Sequence, residues 1–377
     1  MERKNGCNMK CLFDLSFIRH NIYAGVSKYA YRILDYIVEV DKSHEFVLLL
    51  NTISERQIRE WYPEFEYKLI GSGYLTSVPV VRTLALTYQF KRIVDGTDCD
   101  VVFCPWGNEI TCLRTNKRKI SVIHDLQLRI DLKGAGLYIH KIIDDLVIKN
   151  SDKIVTISEF SKKQIFSFYP SLSDDFIVSL GNSVSANQYL GENLVDGRYL
   201  LYVGRICEMK NVVTLVKAYV RISNLIKGVR LIIVGKSNTY WYKQVEPIIK
   251  AANLSESIQV VENCSERELA LLYRYADIFV FPSLREGFGS PPLEAAMECT
   301  PVISTTCDSL KEVLLDKVFT YDNPMDEEEL SEKILFVLSH RPSDRELAEI
   351  RNTYLNHYSI GTFGKKVYDF IQTQSNQ

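Results

Sequence analysis

Two glutamates, Glu286 and Glu294, flank a glycine turn and a proline pair in the stretch SLREGFGSPPLEAAMECTPVIS. Ser290-Pro291-Pro292 reads as a helix start, with Ser290 as N-cap and proline in the first turn, where its missing N–H has no partner to lose. A capping box would need its glutamate at position 293, so Glu294 is available for other work. From the helical rise, the two carboxylates can stand about 10 Å apart. Gly287, Phe288 and Gly289 lie between them, where backbone amides and the positive helix end favour an anion. Two hydroxyl-binding ends around an anion site match the layout of a nucleotide sugar: ribose, diphosphate, hexose. Arg205 and Lys210 follow the apolar run YLLYVG and supply cations for the diphosphate, in place of a metal ion. His124 and Asp125 follow KISVI in the same way.

These residues all stand directly after apolar runs. YLLYVG, VRLIIVG, SIQVV, DIFVFPS, PVIST and VFTY are strand candidates in the second half. MKCLFDLSF, HEFVLLL, DVVFCP, RKISVIHDL and DKIVTIS are candidates in the first. Segments of helical spacing separate them, which predicts parallel, doubly wound sheets whose ligands bind beyond the carboxyl ends of the strands. A chain of 377 residues exceeds one ordinary core, so two Rossmann-like domains are expected. Polar and turn residues between Gly181 and Gly197 mark the linker. The expected division is 1–190, 191–355 and a terminal helix over 356–377 that crosses back to the first domain.

A formal net charge of -2 speaks against nucleic acid as a partner. The polar N-terminus and the lack of a ~20-residue apolar run predict a cytoplasmic protein without signal peptide or membrane span. Nine cysteines without a CxxC pair read as reduced core thiols. Asp98-Cys99-Asp100 imitates a metal-binding DxD but precedes the run VVF and reads as strand-edge polarity. Val78 to Val94 reads as a partly buried helix, with an amphipathic face toward a membrane-bound acceptor as the second reading. No GxGxxG follows a strand, which places a nicotinamide dehydrogenase last among the readings.

YVGRICEMKN, SLREGFGSPPLEAAMECTPVIS, SVIHDL and KIVTISEFSKKQI resemble, in order along most of the chain, the motifs of family 4 retaining glycosyltransferases. The resemblance implies the GT-B fold, two facing Rossmann-like domains with a cleft between them. It implies transfer of a hexose or deoxyhexose, mannose or rhamnose first, from a nucleotide diphosphate sugar to a glycan or lipid-linked glycan acceptor, without cofactor or metal. Surface polysaccharide or lipopolysaccharide assembly at the cytoplasmic face of the membrane is the implied setting. By position, Glu286 contacts the donor sugar, Glu294 the ribose, Arg205 and Lys210 the diphosphate, and His124 the donor sugar from the N-terminal domain. Gly25 belongs to the glycine loop before the first helix. The chain departs from the family at Cys299, which stands at a usual glycine, at Glu298, where a small or apolar residue is usual, and at Ser290, where leucine is usual. The alternatives are a nucleotide-sugar epimerase or hydrolase of the same architecture and a catalytically silent donor-binding scaffold.

Overall fold

A computed structural model describes residues 9–19, 25–40, 42–71, 79–126, 129, 135–185 and 189–375. The chain forms two compact units, one of Met1–Ser183 with Ile360–Gln377 and one of Val184–Ser359. The divisions at 183/184 and 359/360 compare with 190/191 and 355/356 read from the sequence.

The first unit is built on seven parallel strands: β1 (Cys11–Leu15), β2 (Phe46–Asn51), β3 (Glu66–Ile70), β4 (Val101–Cys104), β5 (Arg118–Ile123), β6 (Lys153–Thr156) and β7 (Ile177–Ser179). Their order across the sheet is β3-β2-β1-β4-β5-β6-β7. The central strands CLFDL, FVLLLN and VVFC are buried at every position, as runs of branched and aromatic residues covered on both faces must be. The edge strand EYKLI is mostly half-exposed and carries charge, which blunts it against pairing with another chain. That polarity, and the three-residue length of β7, hid both strands from a reading of apolar runs. Helix Pro79–Gly96 lays Leu86, Phe90 and Val94 on Leu12, Val47, Leu49 and Val102 of the sheet. The helix Ile360–Ser375 packs on helix Gly25–Glu39, where a Cβ at Gly364 would run into Tyr36.

The terminal helix expected over 356–377 starts at Ile360 and runs to Ser375, and residues 356–358 belong to the preceding helix, Asp344–Tyr358. The break falls at Ser359, whose backbone is extended (φ -63°, ψ 151°), and Gly361 lies inside the second helix. Asp98 pairs with Lys10 and Asp100 accepts from the Lys10 backbone, the strand-edge polarity expected of that triplet.

The second unit has six parallel strands: β8 (Arg198–Val203), β9 (Val229–Val234), β10 (Ile258–Val261), β11 (Ile278–Phe281), β12 (Val302–Ser304) and β13 (Phe319–Thr320), ordered β10-β9-β8-β11-β12-β13. The order reverses at β8, so the loops after β8 and β11 emerge side by side at the carboxyl edge. A sheet of this kind opens its ligand crevice at that point. Among the described residues no helix is long and apolar enough to cross a membrane, and the described cysteines are free thiols.

Candidate functional site

The loop after β8 carries Arg205 and Lys210, and the loop after β11 carries Glu286 to Gly289. Hydrogen bonds from Leu284, Ser283 and Asn211 knit the two loops together. Met209 O accepts from Leu284 N–H at 2.8 Å and from Ser283 Oγ at 3.3 Å. Asn211, in the left-handed region at φ 54°, donates through Nδ2 to Pro282 O (3.1 Å) and Pro324 O (2.6 Å). Its Oδ1 accepts from Thr214 Oγ1 at 2.7 Å. Asn tolerates this conformation better than most residues, so the turn that ends at Lys210 can pass directly into helix Val212–Ile222. On the other side, Tyr202 OH and Asn238 Nδ2 hold the carbonyls of Arg205 and Ile206 at 3.0 and 2.7 Å. Gly235 is required beneath this loop, because a Cβ there would meet the carbonyl of Gly204.

Lys210 Nζ reaches Glu286 Oε1 at 2.5 Å, and both side chains are about nine-tenths buried. The ammonium also lies 5.8 Å from the centroid of Phe281. Glu286 is fixed through its backbone: its N–H donates to Asp308 Oδ2 (3.1 Å), and its carbonyl accepts from Ser309 Oγ (2.9 Å). Thr305 Oγ1 and Cys307 Sγ both donate to Ser283 O. Burial pushes the Cys307 thiol up to about 12, with the Asp308 and Glu286 carboxylates adding to it, so it stays protonated as that donor. Arg205 is exposed and makes no ion pair among the described residues. An exposed cation beside a buried, paired one suits two tasks, capture of an anion from solution and its fixed placement.

The helix that carries Glu294 spans Ser290–Met297, and its N-cap is Gly289, not Ser290 as expected from the sequence. Gly289 has φ 87°, and a Cβ there would run into Leu310, so only glycine gives the chain this corner. Ser290 thereby becomes the first helical residue, with the prolines behind it. Glu294 Oε2 accepts from the fully buried Tyr273 hydroxyl at 3.0 Å. Burial, and then the Glu294 charge, push the Tyr273 hydroxyl well up, which keeps it a donor.

At its other end the same helix closes with a Schellman pattern, Thr300 N–H to Ala295 O and Cys299 N–H to Ala296 O. Cys299 takes the left-handed position at φ 62°. The glycine usual at this place in the family the sequence resembles has a physical reason, and the cysteine costs the turn its ease. Cys299→Gly is expected to raise stability by about 1 kcal/mol, read as a higher urea midpoint for the second unit. An unchanged midpoint would show the strain to be relieved elsewhere. Glu298, the other departure in this turn, accepts from Arg274 at 2.9 Å (Nε) and 2.6 Å (Nη2).

In the first unit His124 follows β5. Its Nε2 bonds Pro105 O at 2.8 Å, and its ring meets Tyr29 edge-on at 4.9 Å. Burial holds it below the ordinary histidine range despite the carbonyl partner, so it is neutral at pH 7. Gly25 is the first residue of helix Gly25–Glu39; it is exposed, and a Cβ there meets nothing. Its place in a loop ahead of the helix involves residues outside those described.

Two Rossmann-like units, with the charged pair of the second at its sheet's reversal point, define the architecture called GT-B. Residues 191–353 match the family model of glycosyl transferases group 1. An uncharacterized glycosyltransferase of Methanocaldococcus jannaschii is 28% identical over 79% of this chain and 83% of its own. The O-antigen chain mannosyltransferase RfbU of Salmonella typhimurium is 29% identical over 48% of this chain and 49% of its own. Among solved structures, a glycosyltransferase from Rickettsia africae superposes with TM-score 0.75 at 17% identity, over 97% of this chain and 99% of its own. Anabaena HepE in complex with UDP-glucose superposes with TM-score 0.74 at 12% identity, over 97% and 100%.

The sequence singled out Arg205, Lys210, Glu286, Glu294 and the Gly287–Gly289 turn, and the second unit holds all of them on one carboxyl edge. Asn211, Tyr273, Asp308 and Ser309, which hold these residues, escaped the sequence reading. Asn211 alone left a signal, a polar residue where a helix begins directly after Lys210.

Proposed function

We propose that the chain is a retaining, metal-independent glycosyltransferase that moves a hexose or deoxyhexose, mannose first, from a nucleotide diphosphate sugar to an acceptor hydroxyl. The observation that carries this reading is the buried Lys210–Glu286 pair beside exposed Arg205, at the point where the strand order of the second unit reverses. Arg205 and Lys210 neutralise the diphosphate and stabilise the charge that grows on it as the glycosidic bond breaks. The Gly287–Gly289 amides face the same anion at the helix start. Glu286, oriented by Lys210, takes a donor-sugar hydroxyl, and Glu294, oriented by Tyr273, takes the ribose hydroxyls. His124 belongs to the acceptor-side unit, where its neutral imidazole suits a sugar hydroxyl. Retention follows if the departing diphosphate oxygen accepts the acceptor's proton on the same face. The mannosyltransferases among the relatives support mannose as the hexose and O-antigen-like polysaccharide as the product.

The test is binding of GDP-, UDP- and dTDP-sugars without metal, by calorimetry, for wild type and Glu294→Ala. One donor is expected to saturate, with affinity about tenfold to a hundredfold lower in the variant, the range for one lost pair of hydrogen bonds to a charged group. If no donor binds the folded protein, the donor site is refuted and the scaffold alternative takes its place.

The acceptor's setting is proposed to be the cytoplasmic membrane surface. Helix Pro79–Gly96 exposes Val80, Leu84 and Tyr88 at four-residue spacing, in line with Arg92, and helix Ala135–Lys149 exposes Tyr138, Ile139 and Ile142 beside Lys141. Apolar stripes edged with cations suit an anionic interface. Co-sedimentation with phosphatidylglycerol vesicles, but not with phosphatidylcholine vesicles, is the expected result; equal recovery in the pellet with and without vesicles would dismiss the membrane.

A further inference from the structure

The turn Gly287–Gly289 does not offer its one large side chain to a ligand. Phe288 is 5% exposed, and its ring meets Tyr358 edge-on at 5.6 Å and 89°. Its backbone is what it can present to an anion, and the ring is left to hold that backbone in place. Perpendicular rings attract beyond what their buried area supplies.

Tyr358 is itself fixed. It is the last residue of helix Asp344–Tyr358, and its hydroxyl donates to Val313 O at 2.7 Å. Tyr354, one turn earlier, donates to Leu314 O at 2.6 Å. Val313 ends the short helix Leu310–Val313, so its carbonyl is one of those that a helix leaves without an intrahelical partner. Burial pushes both tyrosine hydroxyls well up, which keeps them donors. The start of the same short helix supports the turn from its other side. Leu310 lies where a Cβ at Gly289 would stand, and Ser309 Oγ holds Glu286 O at 2.9 Å. Turn, short helix and Tyr358 form a closed ring of contacts.

The backbone of Tyr358 leads elsewhere. Its carbonyl accepts from Val184 N–H at 3.0 Å. Val184 is the first residue of the second unit, and Tyr358 stands next to Ser359, from which the chain crosses back. On the other side of the first crossing, the first unit grips Ser183: its carbonyl accepts from Arg32, and its N–H donates to Asn182 Oδ1 at 2.8 Å.

We infer that Tyr358 is a positioning residue that holds the turn through Phe288 and the crossing at Val184 through its carbonyl, so that an anion on the turn and the order of the crossing are coupled. Such coupling is reciprocal, since whatever tightens one tightens the other. The inference rests on the reading of the turn as the diphosphate seat.

The probes are GDP and UDP against GMP and UMP, by calorimetry, together with hydrogen exchange at single amides of the full chain. In the wild type, the diphosphate that binds is expected to slow exchange of the Val184 amide, a measurement that needs no variant. Tyr358→Leu removes the ring that faces Phe288. It is expected to weaken the diphosphate about tenfold while the monophosphate stays within about twofold, and to abolish the slowing at Val184. Tyr358→Phe keeps the ring and is expected to retain both effects. A merely structural role would lower the urea midpoint and weaken the two nucleotides alike. Equal losses for both nucleotides in Tyr358→Leu, or Val184 exchange unmoved by the diphosphate in the wild type, would overturn the inference. If neither diphosphate binds the folded wild type, the donor reading is refuted instead. The hold of Tyr358 on the turn is then read from the Phe288 and Gly289 amides, whose exchange Tyr358→Leu is expected to speed and Tyr358→Phe is not; equal rates would overturn it.

Discussion

Lys210→Ala is expected to lower kcat/KM for sugar transfer by about a thousandfold, the loss typical of one preorganised group that stabilises transition-state charge. It is also expected to destabilise the second unit, because Glu286 is 7% exposed and would be left as an uncompensated carboxylate. Breaking a fully buried pair from one side costs about 3–5 kcal/mol, and the remaining solvent access here lowers that figure. The two effects separate in a cycle. Lys210→Ala with Glu286→Gln removes the orphaned charge along with the pair, so the double variant should recover most of the stability and none of the activity. Steady-state kinetics and urea unfolding on the four proteins would decide. Activity within tenfold of wild type in Lys210→Ala would mean that the ammonium positions Glu286 and does not act on the diphosphate.

The residues of the candidate site were legible because most of them follow a hydrophobic strand, and strands covered on both faces are the loudest pattern a sequence carries. Arg205, Lys210, Glu286 and His124 could be found from position alone. Glu294 needed the helix-start signal of Ser290-Pro291-Pro292, which gave the right helix with the cap one residue late. The error is physical: Gly289 turns the corner in a left-handed conformation that only its lack of a Cβ allows, and no side-chain preference announces it. The braces were silent. Tyr273 reads as one more apolar residue of helix Glu266–Tyr275, and its hydroxyl meets Glu294 only because the sheet order brings the two helices together.

Asp14 should make the first unit less stable as the pH rises through the weakly acidic range. It lies near the carboxyl end of β1, wholly buried, beside the point where β1 meets β4 and the strand order of that sheet reverses. One oxygen accepts from Ser16 N–H at 2.9 Å; the other, Oδ2, has no hydrogen bond among the described residues. Burial pushes its carboxyl from 3.8 up to about 6, so the folded unit holds the proton more tightly than the unfolded chain does. Its stabilising contribution is then complete below pH 4 and is lost as the pH climbs through about 6, which amounts to about 3 kcal/mol by linkage. Hydrogen exchange of the β1 and β4 amides reads this opening free energy directly for the first unit, without treating the two-unit chain as one transition. Other carboxylates titrate nearby in sequence and space, so the decisive quantity is the difference from Asp14→Asn. Wild type should lose protection between pH 4 and 7 relative to the variant; parallel profiles would mean that Asp14 finds a partner or water in solution. A buried carboxyl with one oxygen unbonded, at the carboxyl end of a central strand, lowers stability where a doubly wound sheet binds its ligand, and groups whose titration is perturbed in this way cluster at functional sites.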